Sequence, residues 1–420
     1  MYNVLLYLYQ LGVAVASLFS KKVRTMWRGE RAAFGELRRR VEPGARYVWF
    51  HAASLGEFEQ GRPLMEELRR QRPELKILLT FFSPSGYEVR KNYAGADIVC
   101  YLPIDTAANA RRFLSLVRPE MAFFIKYEFW YNYLHILRHR GVPVYSVSSI
   151  FRPGQVFFRW YGRQYGRVLH CFTHFFVQNE QSRVLLARLG LLNASVTGDT
   201  RFDRVLQVKR ESKVLPLCEA FAADATRRGQ RTMVVGSSWE ADEQVYLPYF
   251  ARHKEWRLII ATHVVSDERV QRLRQQLTGL GLSSATYQVS SERGAALCDS
   301  AQVSCADVLI INCYGLLSSI YRYGSVALVG GGFGVGIHNL PEAAVWSIPV
   351  LFGPNNQRFQ EAQDLKRLGG GFELTTTADL ERTMDRLARD KQAYADAAAA
   401  AGRYVAGRSG ATQKILELAL

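Results

Sequence analysis

Short apolar runs alternate with helix-like stretches along most of this 420-residue chain. Residues 47–51 and 76–81 are two of the apolar runs, and residues 61–71 between them have the spacing of an amphipathic helix. Continuous apolar strands separated by helices are typical of a parallel sheet that is covered on both faces. The alternation stops near residue 206 and resumes near residue 231, so the sequence predicts an α/β fold of two Rossmann-like domains.

The same pattern divides the chain into four segments. Residues 1–30 are predicted to form a membrane anchor with a basic flank, residues 31–205 the first domain, residues 206–230 a linker, and residues 231–420 the second domain. A helix at the end of the chain is a candidate to pack back on the first domain. Ligands of open α/β sheets bind at the carboxyl ends of the strands, so we expect the functional site in a cleft between the domains. The predicted strands cover residues 47–51, 76–81, 98–102, 121–125, 142–147, 172–177, 232–236, 257–261, 308–312, 326–330 and 348–352.

Residues 4–19 contain no charged side chain, and Lys21, Lys22 and Arg24 follow them directly. This run is shorter than the roughly 20 residues that a membrane-spanning helix needs. A signal peptide carries its positive charge before the apolar run, whereas here the charge follows it. We therefore predict an uncleaved anchor, either a short tilted span or a helix lying in the interface, next to an anionic membrane surface. An ordinary buried first helix is the alternative.

The charge balance constrains the partners of the protein. Lys and Arg number 54 and Asp and Glu number 38, which gives a net charge of +16. Such a chain is expected to bind anions: nucleic acid, phosphorylated substrates or an acidic membrane. Hydrophobic residues at 48% and charged residues at 22% exclude a disordered chain, a collagen-like repeat and a polytopic membrane protein.

Several kinds of site lack a motif in this sequence. There is no H-E-x-x-H, no P-loop and no G-x-S-x-G, so metal-dependent, nucleotide-hydrolysing and serine-hydrolase chemistry are not indicated. The cysteines form no C-x-x-C pair, and we expect them to be reduced thiols in a cytosolic protein, most of them buried. These six cysteines are Cys100, Cys171, Cys218, Cys298, Cys305 and Cys313.

The first chemically informative stretch is H-A-A-S-L-G-E at residues 51–57, directly after a predicted strand. A small-residue turn leads into a helix there, with Glu57 and Glu59 near its start. A carboxylate at this place could act as a general base in the cleft. The alternative is a helix N-terminal acid that is stabilised by the helix dipole.

Two further turns could bind a phosphate. Residues 197–203 read T-G-D-T-R-F-D and place Arg201 at the mouth of the predicted cleft, although a solvated arginine in a turn is an equal alternative. Residues 235–240 read V-G-S-S-W-E, and Ser237 lies in the turn between a strand and a helix. Backbone amides and hydroxyls in such a turn can hold a phosphate.

A glycine-rich stretch at residues 330–343 carries the strongest signal. Five glycines within residues 330–336 allow the backbone to approach a ligand closely, with a purely structural turn as the alternative. His338, Asn339 and Glu342 then open a predicted helix. A glutamate at this position can accept hydrogen bonds from the hydroxyls of a sugar. The glycines do not have the G-x-G-x-x-G spacing of a dinucleotide site.

These motifs occur in the order found in one family, the 3-deoxy-D-manno-octulosonic acid (Kdo) transferases of lipopolysaccharide synthesis, which the chain resembles along nearly all its length. Residues 51–57 resemble H-x-x-S-x-G-E, and residues 128–132 (E-F-W-Y-N) resemble E-L-W-P-N. Residues 197–203 resemble T-G-N-x-K-x-D. Residues 330–342 and 349–354 resemble G-G-x-x-x-x-G-G-H-N-x-x-E and P-V-x-x-G-P.

The resemblance implies two Rossmann-like domains of the GT-B class that face a central cleft. It implies transfer of Kdo from CMP-Kdo, with inversion and without a metal or other cofactor, to an acylated and phosphorylated lipid A precursor, lipid IVA. It also implies a place at the cytoplasmic face of the cell inner membrane. The residue types in these motifs suit this reaction, because an oxocarbenium-like centre beside a departing phosphate needs a base and a fixed cation.

Residue roles follow from the matched motifs. By the resemblance, Glu57 is the base that deprotonates the acceptor hydroxyl. Glu128 and Arg201 stabilise the transition state, and Arg201 faces the leaving phosphate. The residues expected to bind CMP-Kdo are Ser237, Thr262, His263, Tyr314, Gly315, Leu316, His338, Asn339, Leu340, Pro341 and Glu342.

The sequence departs from the pattern of this family at several positions. Residues 314–317 are Y-G-L-L in place of M-G-E-L, and residues 261–263 are A-T-H in place of P-R-H. Arg201 replaces a lysine, Asp199 replaces an asparagine, and Lys126 stands where an acid is common. These departures concern the contacts to CMP more than the reaction.

Two other functions are compatible with parts of this sequence. Another GT-B transferase with a UDP-sugar donor is the alternative enzyme, and competition by CMP against UDP would separate the two. A nucleic-acid-binding protein is disfavoured, because the basic residues are spread over the chain and are not interleaved with aromatic residues on one element.

Overall fold

The computed structural model describes residues 2–289, 296–297, 303 and 305–420, so Cys298 lies outside the described residues. The chain divides into two units, which are described separately below. Unit 1 contains the chain up to Arg204 together with Ser409–Leu420, and unit 2 contains Val205–Arg408. The division falls within a helix of residues 201–210, and another helix covers residues 216–227, so the segment predicted as a linker is largely helical.

Unit 1 is built on a parallel seven-stranded sheet. Its strands are β1 (Tyr47–Ala52), β2 (Lys76–Phe81), β3 (Ile98–Tyr101), β4 (Met121–Ile125), β5 (Val144–Ser149), β6 (His174–Val177) and β7 (Ala194–Val196). Their order in the sheet is β3-β2-β1-β4-β5-β6-β7, and every pair is parallel. The first six strands coincide with predicted strands, whereas β7 was not predicted.

The helices of unit 1 cover both faces of this sheet. They are α1 (Tyr2–Phe19), α2 (Lys21–Arg40), α3 (Leu55–Gln71), α4 (Pro84–Arg90), α5 (Ala107–Val117), α6 (Tyr131–His139), α7 (Arg163–Gly166) and α8 (Glu180–Ala187), with 3₁₀ turns at Val156–Phe158, Trp160–Gly162 and Arg167–Cys171. Alternate residues of β1 supply the two faces: Tyr47 and Trp49 belong to one apolar cluster, and Val48 and Phe50 to the other. A strand buried on both faces explains why its sequence is a continuous apolar run.

Helix α2 is amphipathic and packs on unit 1. Ala33, Phe34 and Leu37 are buried in the core cluster, and a Cβ at Gly29 would lie only 2.3 Å from the ring of Tyr101. The opposite face carries exposed basic residues. Since this helix begins at Lys21 and is continuous to Arg40, the basic flank and the start of the first domain are one element.

Helix α1 is apolar and mostly exposed. It is the one candidate membrane span by length and composition in the part of the chain that the structure describes, and 11% of it is buried. Both of its ends are tied to unit 1. The Tyr2 hydroxyl donates to Asp105 Oδ2 at 2.7 Å, and Arg24 Nε donates to the Ser17 carbonyl at 2.8 Å. The helix therefore lies along unit 1.

Unit 2 is a second, mostly parallel sheet. Its strands are β8 (Arg231–Ser238), β9 (Trp256–Thr262), β10 (Ser284–Val289), β11 (Ala296–Leu297), β12 (Val308–Ile311), β13 (Val326–Val329), β14 (Val350–Phe352) and β15 (Gly371–Glu373). The order is β11-β10-β12-β9-β8-β13-β14-β15, and β11 pairs antiparallel with β10. Strands β10, β11 and β15 were not predicted. The prediction of two Rossmann-like domains is confirmed.

The helices from the boundary onward are α9 (Arg201–Arg210), α10 (Pro216–Arg227), α11 (Glu240–Arg252), α12 (Asp267–Gly279), α13 (Leu317–Ile320), α14 (Leu340–Ala344), α15 (Gln360–Leu368), α16 (Thr377–Arg389), α17 (Lys391–Ala406) and α18 (Ala411–Ala419). The last of these, α18, belongs to unit 1. Asp203 accepts hydrogen bonds from the backbone N–H groups of Gly410 and Thr412, at 2.5 and 2.7 Å. The Tyr145 hydroxyl donates to the Ala419 carbonyl at 3.0 Å. The carboxylate at the end of the T-G-D-T-R-F-D motif thus caps the last helix.

The two glycine motifs of unit 2 are in backbone contact. A Cβ on Gly332 would lie 2.5 Å from the backbone nitrogen of Gly353, and a Cβ on Gly353 would lie 2.5 Å from the carbonyl carbon of Gly332. Neither position can take a side chain unless the backbone moves. This contact explains why residues 330–336 and 349–354 both need glycine.

Replacing Gly353 with alanine is expected to lower the free energy of unfolding of unit 2 by about 1–3 kcal/mol, because the added Cβ overlaps backbone atoms. Urea unfolding followed by circular dichroism measures the change. Gly334→Ala is the control, since a Cβ there meets nothing within 4 Å. Equal unfolding midpoints for the two variants would contradict the close backbone contact.

Candidate active site

The carboxyl end of β1 places Glu57 at the start of α3. Ser54 is the N-cap, and Glu57 Oε2 accepts hydrogen bonds from the backbone N–H groups of Ala53 and Ser54 at 2.6 and 3.2 Å. This is a capping box, so the helix-capping role anticipated for Glu57 is present. Within the described part of the chain, no hydrogen bond occupies Glu57 Oε1. One oxygen therefore caps the helix and the other is available to a ligand.

The environment makes Glu57 a weaker acid than usual. Burial, and secondly the negative charge of Glu128, raise the pKa of Glu57 to about 7. The Ala53 N–H and the positive charge of Lys126 oppose this shift only in part. A carboxylate with a pKa near neutrality can accept a proton and release it again at physiological pH.

Glu128 follows β4 and lies within electrostatic range of Glu57. Its Oε2 atom accepts a hydrogen bond from Trp130 Nε1 at 2.6 Å and lies 3.1 Å from His51 Nε2. His51 is fully buried, and its Nδ1 atom lies 2.9 Å from Thr80 Oγ1. A buried network therefore orients this carboxylate.

The hydrogen-bond network indicates the tautomer of His51. Glu128 Oε2 is a carboxylate acceptor, so the proton between it and His51 is assigned to His51 Nε2. Thr80 Oγ1 accepts a hydrogen bond from Trp49 Nε1 at 2.8 Å, donates to the Phe50 carbonyl at 3.4 Å and lies 2.9 Å from His51 Nδ1. The sequence motif contained His51, but Trp49 and Thr80 lie in apolar strands and gave no signal of this role.

Arg201 begins helix α9 beyond β7 and is held by a buried acid. Its Nε atom donates to Asp199 Oδ2 at 2.8 Å and its backbone N–H donates to Oδ1 at 2.9 Å. Burial alone would raise the pKa of Asp199, but the charge of Arg201 and its hydrogen bonds hold that pKa below the ordinary value. Gln60 Nε2 also donates to Asp199, at 2.9 Å. Since Gln60 lies about one turn after Glu57 on α3, the three predicted catalytic residues surround the same end of the sheet.

Unit 2 has a stack of aromatic rings where β8 and β9 end. The Trp239 and His263 rings are stacked with centroids 4.3 Å apart, and the His263 and His338 rings with centroids 4.6 Å apart. Trp239 Nε1 donates to His338 Nε2 at 3.1 Å, so this nitrogen is unprotonated. Burial, and secondly His263, lower the pKa of His338 to about 4. The motif at residues 235–240 contains Trp239, but its sequence pattern did not predict a site role for this residue.

The glycine-rich loop packs against the turn that contains Ser237. A Cβ at Gly330 would lie 2.3 Å from the Ser237 carbonyl oxygen, and Gly331 has φ +90°, which favours glycine. Asp242 accepts hydrogen bonds from the backbone N–H groups of Gly331 and Trp239 at 2.8 and 2.9 Å. The loop is thus fixed by an acid that sequence reasoning did not single out.

Glu342 is held from two sides at the start of α14. Asn339 Nδ2 donates to its Oε1 at 2.7 Å and the Ser318 hydroxyl donates to its Oε2 at 2.8 Å. Asn339 Oδ1 is buried and has no hydrogen-bond partner among the described residues. Leu340 and Pro341 are buried in unit 2, so their side chains stabilise the start of the helix.

The remaining predicted donor residues lie at the same edge of the second sheet. Thr262 ends β9 and its hydroxyl donates to the Val264 carbonyl at 2.9 Å. Tyr314 is 75% exposed in the turn after β12, where Gly315 has φ +82° and Leu316 caps the short helix α13. Each residue predicted to bind CMP-Kdo therefore lies at or just beyond the carboxyl end of a strand or at the start of the helix that follows.

Across the described residues, no group of three or more histidine, cysteine, aspartate or glutamate side chains could hold a metal ion.

Comparison with known proteins agrees with this architecture. Two solved UDP-GlcNAc 2-epimerases share the fold: the enzyme from Neisseria meningitidis bound to UDP-GlcNAc (TM-score 0.61, 15% identity, 88% of this chain and 98% of that chain) and the enzyme from Methanocaldococcus jannaschii (TM-score 0.54, 14% identity, 86% and 98%). The fold is of the GT-B type, as predicted.

The sequence comparisons narrow the class further. Residues 27–204 match the family described as 3-deoxy-D-manno-octulosonic-acid transferase (kdotransferase). A Kdo transferase of Bordetella pertussis is 28% identical over 93% of this chain and 94% of its own length, and one of Aquifex aeolicus is 23% identical over 81% and 85%. The resemblance to Kdo transferases that the motifs predicted is confirmed.

The raised pKa of Glu57 predicts a pH-dependent stability. The folded protein binds this proton more tightly than the unfolded chain, so the stabilisation is fully present below the ordinary pKa of 4.5 and is lost as the pH rises through about 7. The Glu57→Gln variant lacks this loss. The free energy of unfolding of Glu57→Gln, taken relative to that of the wild type, is therefore expected to be higher at about pH 8 than at about pH 5. The expected change in this difference is on the order of 1 kcal/mol.

Urea unfolding at the two pH values tests this expectation. Glu67→Gln on the same helix is the control, because the hydrogen bond from Arg70 lowers the pKa of Glu67. A depressed carboxyl pKa affects stability only as the pH falls below the ordinary value, so the control should differ from the wild type equally at both pH values. A constant difference for Glu57→Gln as well would contradict the raised pKa.

Proposed function

We propose that the protein is an inverting glycosyltransferase that transfers Kdo from CMP-Kdo to an acylated, phosphorylated lipid A precursor (lipid IVA). The observation that carries the proposal is the placement of Glu57, Glu128 and Arg201 around the carboxyl ends of β1, β4 and β7. In unit 2, the aromatic stack and the glycine-rich loop support the donor site. The similarity to Kdo transferases over most of the chain supports the sugar.

Glu57 is the proposed general base. With a pKa of about 7 and Oε1 available, it can take the proton of the acceptor hydroxyl as the oxygen bonds to the anomeric carbon. The bond between this carbon and the phosphate oxygen breaks, and CMP leaves from the opposite face. This sequence of events inverts the configuration of the sugar and uses no metal or other cofactor.

Glu128 and Arg201 are proposed to stabilise the charges of the transition state. The carboxylate of Glu128, oriented by His51 and Trp130, suits the positive charge that develops at the anomeric carbon. Arg201 is held by Asp199, which limits the motion of the guanidinium. We expect it to face the leaving phosphate, where a fixed cation stabilises the departing negative charge.

The donor site is proposed to use the turn at Ser237, the aromatic stack and residues 338–342. The flat surface of the stacked rings suits a nucleobase. Asn339 Oδ1 is a buried hydrogen-bond acceptor without a partner among the described residues, so an N–H or O–H group of the ligand would satisfy it. The glycine-rich loop lets backbone N–H groups approach the phosphate.

The acceptor is proposed to be bound at the cytoplasmic face of the inner membrane. Helix α1 presents apolar side chains to the surroundings, and α2 presents exposed cations beside them. Each cation near an anionic leaflet contributes on the order of 1 kcal/mol. The exposed basic residues of α2 are Lys21, Lys22, Arg24, Arg28, Arg31, Arg38, Arg39 and Arg40.

Glu57→Gln is expected to lower turnover of CMP-Kdo with the acylated acceptor by about a hundredfold or more, because the base is lost. The wild-type rate should rise with pH and follow an apparent pKa of about 7, because Glu57 becomes ionised in that range. Mass spectrometry of the product measures the transfer. Glu67→Gln should keep both the rate and the pH profile, whereas undiminished turnover by Glu57→Gln would remove Glu57 from catalysis.

CMP is expected to inhibit the enzyme at lower concentration than UDP, because the proposed donor carries cytidine. Trp239→Ala should weaken CMP inhibition by about tenfold, since it removes the first ring of the stack. Trp160→Ala, which changes an 86% exposed tryptophan of unit 1, is the control. Stronger inhibition by UDP would favour a UDP-sugar donor instead.

A further inference from the structure

Unit 1 contains a cavity of about 250 Å³, most of whose walls have no role in the proposed reaction. One wall is formed by Tyr2, Leu6 and Tyr9 of helix α1. The other walls come from the loops after β2, β3 and β4, and include Phe82 and Ile104. The cavity therefore lies between the apolar N-terminal helix and the carboxyl edge of the sheet.

The inner end of this cavity is at the candidate catalytic centre. Glu128 and its hydrogen-bond partner Trp130 are both among the lining residues. Glu57 and Glu128 follow β1 and β4, which are neighbouring parallel strands, so the proposed general base lies at the same edge of the sheet. A ligand bound in the cavity would thus extend from α1 to the two carboxylates.

Asp105, Tyr2 and Tyr165, which line the cavity, direct polar groups to partners within unit 1. Asp105 accepts hydrogen bonds from the Tyr2 hydroxyl at 2.7 Å and from the backbone N–H groups of Asn132 and Tyr133 at 3.1 Å. The Tyr165 hydroxyl donates to the Phe129 carbonyl at 3.1 Å. What the walls offer to a ligand is therefore mainly aromatic and aliphatic surface, which favours hydrocarbon over a polar group.

Helix α1 presents its other face to the surroundings. Leu5 and Leu8 on that face are 57% and 61% exposed, whereas Leu6 is partly buried against the cavity. Since both ends of the helix are tied to unit 1, this geometry fits a helix that lies in the membrane interface with its exposed side in the lipid. The cavity is then separated from the lipid phase by the width of one helix.

We propose that this cavity binds the segment of an acyl chain of the lipid acceptor that is nearest to its sugar. The proposal rests on the proposed function, because it takes the acceptor to be an acylated sugar. A chain that lies between α1 and the loops after β2 to β4 would bring the attached sugar hydroxyl to Glu57. The cavity would then select acylated over deacylated acceptors.

The test fills the cavity from the α1 wall. Leu6→Trp is expected to lower kcat/KM for the acylated acceptor by about tenfold, since each methylene excluded from an apolar site weakens binding about fourfold. The deacylated, phosphorylated disaccharide should be affected less than about twofold. Leu8→Trp is the matched control, because it makes the same substitution on the exposed face of the same helix. Leu8→Trp should leave kcat/KM unchanged for both acceptors.

Equal losses of kcat/KM for both acceptors in Leu6→Trp, or no loss for either, would overturn the proposal.

A second measurement does not need catalysis. A lipid A precursor with a diazirine in its acyl chain is irradiated with the full-length wild-type protein, and the cross-linked peptides are identified by mass spectrometry. Cross-links to peptides that contain Ile104 or Trp130 support the proposal, and cross-links confined to α1 overturn it. This result is independent of whether Kdo is transferred.

Discussion

The parallel arrangement of the seven strands of unit 1 is the constraint on which the rest depends. Parallel strands end at one edge of their sheet, so chain segments that are far apart in sequence meet there. Glu57 follows β1, Glu128 follows β4 and Arg201 follows β7, and the cavity beside α1 lies at the same edge. An antiparallel sheet would send alternate loops to opposite edges and would separate these groups.

The position of Glu57 is compatible with both the helix cap and the proposed base, which the sequence analysis treated as alternatives. One carboxylate oxygen caps helix α3, and the other is left for a ligand. The cap fixes the carboxylate, while burial beside Glu128 raises the pKa of Glu57 to about 7. This shift destabilises the ionised form in the folded state, and it gives the group the proton affinity that a base needs at neutral pH.

The departures from the family pattern at Asp199 and Arg201 form a consistent pair in the structure. The buried carboxylate accepts two hydrogen bonds from Arg201 and one from Gln60. A guanidinium has a fixed fork of donors that suits a carboxylate, so both replacements fit one ion pair. Neither replacement could be interpreted from the sequence alone, because nothing in the spacing of the two residues showed that they face each other.

How much the sequence predicted depends on where the relevant information lies. Continuous apolar runs predicted eleven strands, because a strand buried on both faces needs apolar side chains throughout. The short edge strand β7 and the more polar β10 carry weaker patterns and were missed. Motif residues such as Glu57, Glu128 and Asn339 could be predicted as site residues because each is part of a local pattern, and their roles stay predictions.

By itself, then, the sequence determined the two α/β units, their strand and helix periods and the apolar character of α1, and it supplied the side chains that we propose as reactive. Only the tertiary structure decided which groups face one another: Thr80 and His51 behind Glu128, Trp239 against two histidines, and α1 over a cavity. The physical reason is that pKa shifts, ring stacking and cavities arise from distances between segments that are remote in the chain, and local patterns do not encode those distances.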